Sequence, residues 1–216
     1  MNEPLLAIEG AFGSFSVALL DGDRLAAKRL DGRDALERGL GIVADVLAEG
    51  RHHLEGLGGI AVGTGPGGFT GLRIAIAFAK SLALGSDVPL AGVSSFDILD
   101  VAANADGIVP RLTVVYGRTG IACIRLTGAD ESRVACGPVE AAVARLVTGG
   151  SIALVGAAED VLSAVRERGT SVHFVPAPVE LPAATLARIA RSRAPAPSVH
   201  AVAPDYGETP AAKLRS

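Results

Sequence analysis

Apolar positions fall first in short runs broken by turn residues, and later at helical spacing. Leu5 to Glu9 is a short apolar run, Gly10 to Ser14 has turn composition, and Ser14 to Leu20 is apolar again. Asp21-Gly22-Asp23 separates this run from Leu25 to Leu30, and Asp-Gly between apolar runs signals a hairpin. The pattern predicts three consecutive antiparallel strands. That opening differs from the strand, crossover helix and parallel strand of a dinucleotide-binding unit. A helix is predicted from Asp34 to Glu49, where Leu36, Leu40, Val43 and Leu47 recur at helical spacing and Gly39 and Gly41 weaken it. A strand from Leu57 to Val62, a glycine-rich turn from Gly63 to Gly68 and a helix from Phe69 to Leu84 follow. Pro89 to Val93 reads as a strand, and Ser95 opens a short helix with Asp97 near its N-terminus.

Asn104 to Pro110 concentrates Asn, Asp, Gly and Pro and marks a lobe boundary. The strand pattern then restarts at Leu112 to Tyr116, Ile121 to Leu126 and Arg133 to Cys136. A helix from Val139 to Val147, a strand from Ile152 to Val155, a helix from Glu159 to Glu167 and a strand from Val172 to Val175 follow. Pro182 to Ser192 reads as a last helix with proline in its first turn, before a Pro- and Ala-rich tail. The same order of elements occurs twice, so the expectation is an α/β protein of two related lobes, residues 1–106 and 107–216.

The chain has 216 residues, 20 basic against 23 acidic, for a net charge of −3, which carries no polyanion-binding signature. Aromatic residues are 4% of the chain, with no Trp and 27 Gly. A core of small side chains is expected, and a base-stacking nucleic-acid surface is disfavoured. Cys123 and Cys136 are too few for a four-ligand zinc site and read as buried small hydrophobes. Arg111, Arg118, Arg125 and Arg133 could form a modest basic edge, though a solvated face is the plainer reading. The start, MNEPLLAIEG, lacks the pattern of a signal peptide, and no unbroken apolar run reaches the roughly 18 residues of a membrane span. A cytoplasmic protein without a membrane partner is expected.

The run GTGPGGFTGLR, Gly63 to Arg73, contains a formal G-x-G-x-x-G, but Pro66 removes a backbone donor and the next strand ends Val93-Ser94-Ser95 without a carboxylate. No Gly-Lys-Ser/Thr follows, so a phosphate-binding loop of the Walker type is absent. The turn reads as a close-packed strand-to-helix connection, with an anion site near Thr70 and Arg73 as the other possibility. Gly92-Val93-Ser94-Ser95-Phe96 falls short of a nucleophile elbow, and His52, His53, His173 and His200 form no metal pair. Glu9 ends the first strand, where phosphotransferase folds with this opening hold a metal- or phosphate-organising carboxylate. The following turn, Gly10-Ala11-Phe12-Gly13-Ser14, has no Lys or Arg.

Between Thr70 and Leu84 only Thr70, Arg73, Lys80 and Ser81 are polar, so this helix is apolar almost all round and is expected to be covered on two sides. The preceding helix has a second apolar line at Ile42 and Val46. Two adjacent helices with surplus apolar faces suggest a protein–protein surface, expected to include Leu36, Gly39, Ile42, Val46, Arg73, Ile74, Phe78 and Leu82. Internal packing in an Ala-rich core is the rival explanation.

Three runs resemble the TsaB (YeaZ) family: LLAIEGAFGSFSVALLDGD, GIAVGTGPGGFTGLRIAIAFAKSLAL and VPLAGVSSFDIL, with fainter similarity through YGRTG and PDYGETPAAKL. The resemblance implies a two-lobed actin-like (ASKHA, ribonuclease H-like) α/β fold with mixed sheets. It implies a non-catalytic scaffold or activator for a TsaD-like subunit, with a TsaE-like ATPase in the assembly. That complex forms N6-threonylcarbamoyladenosine at position 37 of tRNAs reading ANN codons. The pairing surface would use the helices Asp34 to Glu49 and Phe69 to Leu84, and an isolated chain would form a homodimer through it. Transfer RNA would be met mainly through the complex. ATP and Mg are implied for the complex, while no catalytic, metal or cofactor residue is expected in this chain. The chain departs from the family's Ile-Asp-Thr opening at Ile8-Glu9-Gly10. It departs from an Asp-Ala-Arg-Arg-Gly-Glu-like run at Tyr116-Gly117-Arg118-Thr119-Gly120-Ile121. It also has Asp34-Ala35-Leu36-Glu37 where a His-Ser pair is usual. These changes argue against metal, nucleotide or peptidase chemistry. An ATP-dependent or hydrolytic enzyme of the same superfamily is the alternative function.

Overall fold

A computed structural model describes residues 3–105, 107–118, 120–156, 159–176 and 181–207, with 32 and 118 described in backbone only. The first half runs β1 (Leu5–Glu9), β2 (Ser14–Asp21), β3 (Arg24–Asp31), α1 (Ala35–Gly50), β4 (Gly59–Gly65), α2 (Phe69–Ser86), β5 (Leu90–Ser94) and α3 (Ser95–Ala102). The second half runs β6 (Arg111–Arg118), β7 (Ile121–Thr127), β8 (Ser132–Pro138), α4 (Val139–Leu146), β9 (Gly150–Val155), α5 (Glu159–Arg166), β10 (Thr170–Val175) and α6 (Pro182–Ala190). Each half builds a five-stranded sheet, ordered β3-β2-β1-β4-β5 and β10-β9-β6-β7-β8. In both, the first three strands form an antiparallel meander. The fourth and fifth strands then add in parallel beside the first. The two sheets therefore share one mixed topology, as the repeated element order predicts.

β1 is apolar at consecutive positions because its sheet is covered on both faces. Leu6, Ile8, Val17, Leu19, Ile60 and Val62 pack under α1 and α2. The alternate positions Ala7, Ala18 and Ala61 meet Ala183, Ala184, Leu186 and Ala187 of α6. Small side chains on both sides let α6 lie close to the sheet, and this is where much of the alanine is used. α6 belongs to the second half in sequence but packs on β1 and β2 of the first. The tail continues along that sheet, with Ala196 N donating to Leu90 O of the edge strand β5 at 2.8 Å. The second sheet buries Leu112, Val114, Ala122 and Ile124 against α4 and α5.

Three readings of the sequence are corrected. First, α1 is rotated by about one residue from its predicted orientation. Its buried line is Ala35, Gly39, Ile42, Val43, Val46 and Leu47, so Leu36 and Leu40 face outward, and Ile42 and Val46 are core. The cause is Gly39: its missing side chain admits Phe78 and Phe15, which meet edge to face with ring centroids 6.0 Å apart. Second, Cys123 and Cys136 are joined as a disulfide across directly paired positions of β7 and β8, instead of being separate small hydrophobes. Third, Arg111 and Arg125 form neither a solvated face nor a basic edge, and the side chain of Arg118 lies outside the described residues. Arg111 bonds Asp100 through Nε at 2.8 Å and Nη2 at 2.5 Å. Arg125 bonds Asp97 at 2.7 Å and Asp100 at 2.8 Å. These arginines of β6 and β7 tie the second sheet to α3. Thr113 Oγ1 also donates to Asp100, so that buried carboxylate is enclosed by donors.

Candidate partner-docking site

α2 starts where β4 ends, and glycines set the approach. A Cβ on Gly10 would strike the Gly71 carbonyl, and one on Gly71 would strike the Gly10 carbonyl. Only glycine at both positions lets the β1–β2 turn touch the first turn of α2. Gly68 N, at the N-cap, donates to Ala11 O at 2.7 Å. This fixes the direction in which α2 leaves the sheet.

Leu72, Ala75, Ile76, Ala79 and Ala83 face the core, and Ile74, Phe78 and Leu82 are half-buried at its edge. The outward line is Arg73, Ala77, Ser81 and Leu84. Ala77 and Ser81 are small, so another helix can come close there. Four large apolar side chains are left exposed on α1 and α2: Leu36 at 68%, Leu40 at 50%, Phe69 at 52% and Leu84 at 58%. By length and composition, with a mean hydropathy of 1.2 over 18 residues, α2 could cross a bilayer. Its packing against β4 and β1 instead makes one side part of the core. Near its N-terminus the Arg73 guanidinium lies 4.1 Å over the Phe69 ring and its Nε donates to Tyr206 Oη at 2.9 Å. The Phe69 and Tyr206 rings lie 5.1 Å apart.

Of the predicted surface, Leu36 and Arg73 are exposed and Ile74, Phe78 and Leu82 are partly so. Gly39, Ile42 and Val46 are enclosed within the single chain and offer no surface. Sequence reasoning assigned Leu40 to the core and did not single out Phe69, Leu84 or Tyr206. The signal for Phe69 and Leu84 was present, since they bound a helix apolar almost all round. Tyr206 arrives only through the return of the tail.

Glu9 lies beneath the β1–β2 turn, fully buried. Its Oε1 accepts from Ala11 N at 2.7 Å, while Oε2 has no hydrogen-bond partner among the described residues. Burial pushes this carboxyl from the usual range up to about 7, against the opposing pull of the backbone donors at Ala11, Phe12 and Gly10. A crevice of about 460 Å³ opens above, lined by Gly10, Gly13, Gly68, Phe69, Thr70, Gly71 and Gly117 together with Asp31 and Arg33. Arg33, the cation in this lining, is already paired with Asp31 at 3.4 Å. Among the described residues no group of three His, Cys, Asp or Glu could hold a metal. A magnesium nucleotide does not fit the described donor set: among the described residues the lining offers phosphate no cation but the paired Arg33, and the Glu9 carboxylate is fully buried.

The family model for TsaD, the tRNA N6-adenosine threonylcarbamoyltransferase, matches residues 31–188. The chain is 42% identical over 118 residues to the tRNA threonylcarbamoyladenosine biosynthesis protein TsaB of Escherichia coli (strain K12), covering 54% of this chain and 51% of that protein. It is 33% identical over 110 residues to the TsaB of Bacillus subtilis (strain 168), covering 49% and 47% respectively. The solved structure of YeaZ from Pseudomonas aeruginosa superimposes with a TM-score of 0.71 at 25% identity, over 94% of this chain and 99% of that one. The chain belongs to this family, on its TsaB/YeaZ side. The matched stretch spans about half the length of the curated TsaB relatives. An ethanolamine utilization protein, EutJ from Carboxydothermus hydrogenoformans, shares the fold alone, with a TM-score of 0.51 at 14% identity over 85% of this chain and 89% of that one. In a TsaB/YeaZ chain the exposed apolar face of α1 and α2, with no metal cluster among the described residues, is the feature that asks for a functional account.

Proposed function

We propose that this chain is a non-catalytic partner of a TsaD-like subunit in the complex that forms N6-threonylcarbamoyladenosine at position 37 of tRNAs reading ANN codons. The observation that carries the reading is the face of α1 and α2. Leu36 and Leu40 of α1 and Phe69 and Leu84 of α2 stand exposed, and the outward line of α2 carries the small residues Ala77 and Ser81. Covering four such side chains with a partner would contribute several kcal/mol at roughly 1.5–3 kcal/mol each, before the cost of association. The residues held to meet the partner are Leu36, Leu40, Phe69, Arg73, Ile74, Phe78, Leu82 and Leu84. A second copy of this chain takes the same face when no TsaD-like subunit is present.

The division into residues 1–106 and 107–216 is the two-lobed actin-like arrangement, with the second lobe lending α6 to the first sheet. The chain works in the cytoplasm. A TsaE-like ATPase joins the assembly, ATP and Mg serve the complex elsewhere than in this chain, and tRNA is met through the complex.

The test is co-elution with a TsaD-like subunit and reconstituted tRNA modification, using Leu36→Asp with Leu40→Asp. Loss of co-elution and of modification by a chain with an unchanged circular dichroism spectrum is expected. Undiminished assembly would refute the face, and turnover of ATP by the chain alone would refute the non-catalytic role.

A further inference from the structure

The Cys123–Cys136 disulfide lies on the side of the second sheet that meets the first half, beside Phe96, Val115, Phe12 and Leu99. The tail runs over it. Asp205 N donates to Thr64 O of β4 at 2.7 Å, and Gly207 N donates to Asp205 Oδ1 at 2.8 Å. A Cβ on Gly207 would overlap both sulfurs and come within 3.4 Å of Pro66 Cβ, so the strap is seated directly on the disulfide. Between these anchors, Tyr206 reaches the opposite way, to Arg73 and Phe69 of α2. One segment of three residues therefore connects the sulfur pair to the N-terminal corner of the docking face. Cys123 is buried and Cys136 is half-buried.

We propose that Cys123 and Cys136 form a redox-operated latch for the strap Val202 to Gly207, and through Tyr206 set the shape of the α2 corner of the docking face. The inference rests on the partner reading for its consequence, but not for the latch itself. In the closed state the bonded sulfurs give Gly207 a compact floor. Oxidation forms the Sγ–Sγ bond as a small-molecule disulfide accepts two electrons and the two thiol protons and leaves as two thiols. Reduction by a dithiol reverses it through a mixed disulfide. Two thiols need more room than one disulfide, because sulfurs bonded at about 2 Å must retreat to van der Waals separation. With Pro66 on one side and the β7–β8 ladder on the other, the room is taken from Gly207. The strap lifts, and Tyr206 leaves Arg73 and Phe69. A thiol-rich cytoplasm, where lasting disulfides are uncommon and switching ones occur, is the setting in which such a pair changes state.

The full chain is equilibrated with oxidised glutathione or with dithiothreitol, its free thiols are counted by alkylation and mass spectrometry, and hydrogen exchange is followed by peptide. Oxidised chain should carry no alkylatable thiol. Reduced chain should exchange the amides of Asp205 and Gly207 at least tenfold faster, with peptides from α4 unchanged. Cys123→Ser should exchange at the fast rate in both conditions. Equal exchange in the two states, two alkylatable thiols persisting in oxidised glutathione, or slow exchange in Cys123→Ser would overturn the latch. Exchange that responds while both forms co-elute equally with a TsaD-like subunit would support the latch and show that the docking face stops short of the Phe69 corner.

Discussion

Glu9→Gln should make the protein more stable at alkaline pH while leaving it unchanged in mild acid. In the folded chain this carboxyl titrates at about 7 because burial opposes its charged form, against 4.5 when it is free in water. Between these values the unfolded chain has released the proton and the native chain still holds it. Stability therefore falls as pH rises, by about 1.4 kcal/mol per unit. The contribution is complete below pH 4.5 and is lost as the pH rises through about 7. The whole difference of about 2.5 units amounts to about 3 kcal/mol. Glutamine keeps an oxygen for the Ala11 N–H and cannot ionise, so it imitates the protonated acid. Urea denaturation of both proteins from pH 4.5 to 8.5 measures the difference curve, in which all other groups cancel. The variant should match the natural chain at the acid end and exceed it by about 3 kcal/mol at pH 8.5, equivalent to roughly 6–12 °C in Tm. Parallel profiles across the range would refute the upward shift of the buried Glu9 carboxyl.

Leu36→Asp with Leu40→Asp should give a folded monomer by light scattering, with stability within about 0.5 kcal/mol of the parent, because both residues are exposed. Ile42→Asp or Val46→Asp should unfold the first half, at a cost above about 4 kcal/mol for a charge in the core, as read by circular dichroism. Asp100→Ala should cost roughly 3–5 kcal/mol by leaving Arg111 and Arg125 without their shared carboxylate, checked by urea denaturation. Burial alone would raise the Asp97 carboxyl, but bonds from Arg125 and Arg193 outweigh it and hold it below the usual value. Its stabilising contribution is thus present above pH 3.8 and lost as the pH falls through the lower folded value. Arg193→Met should shrink that acid-side loss, read by urea denaturation extended from pH 5 down to pH 2. Gly71→Ala should cost about 1–3 kcal/mol by driving the β1–β2 turn from α2, seen as a lowered Tm.

Much of this protein was legible in local pattern. Strand meanders, helices and their doubled order follow from apolar period and turn residues a few positions apart, and the structure repeats one sheet topology twice. The largely apolar character of α2 was also visible in the letters, and it pointed to a surface needing cover. What the letters left open was every choice made by residues distant in the chain. Whether α1 buries Leu36 and Leu40 or Ala35, Gly39 and Val46 depends on Phe15 and Phe78 meeting above Gly39, and helical period alone accommodates either line. Cys123 pairs with Cys136 because the β7–β8 register sets them opposite each other. Arg111 and Arg125 became lobe ties only when α3 brought Asp97 and Asp100 to them. Periodicity reports which side of an element is oily. The partner that side meets is decided by the packing of the whole chain, since burial energy is nondirectional and is shared among all the surfaces that could close over it.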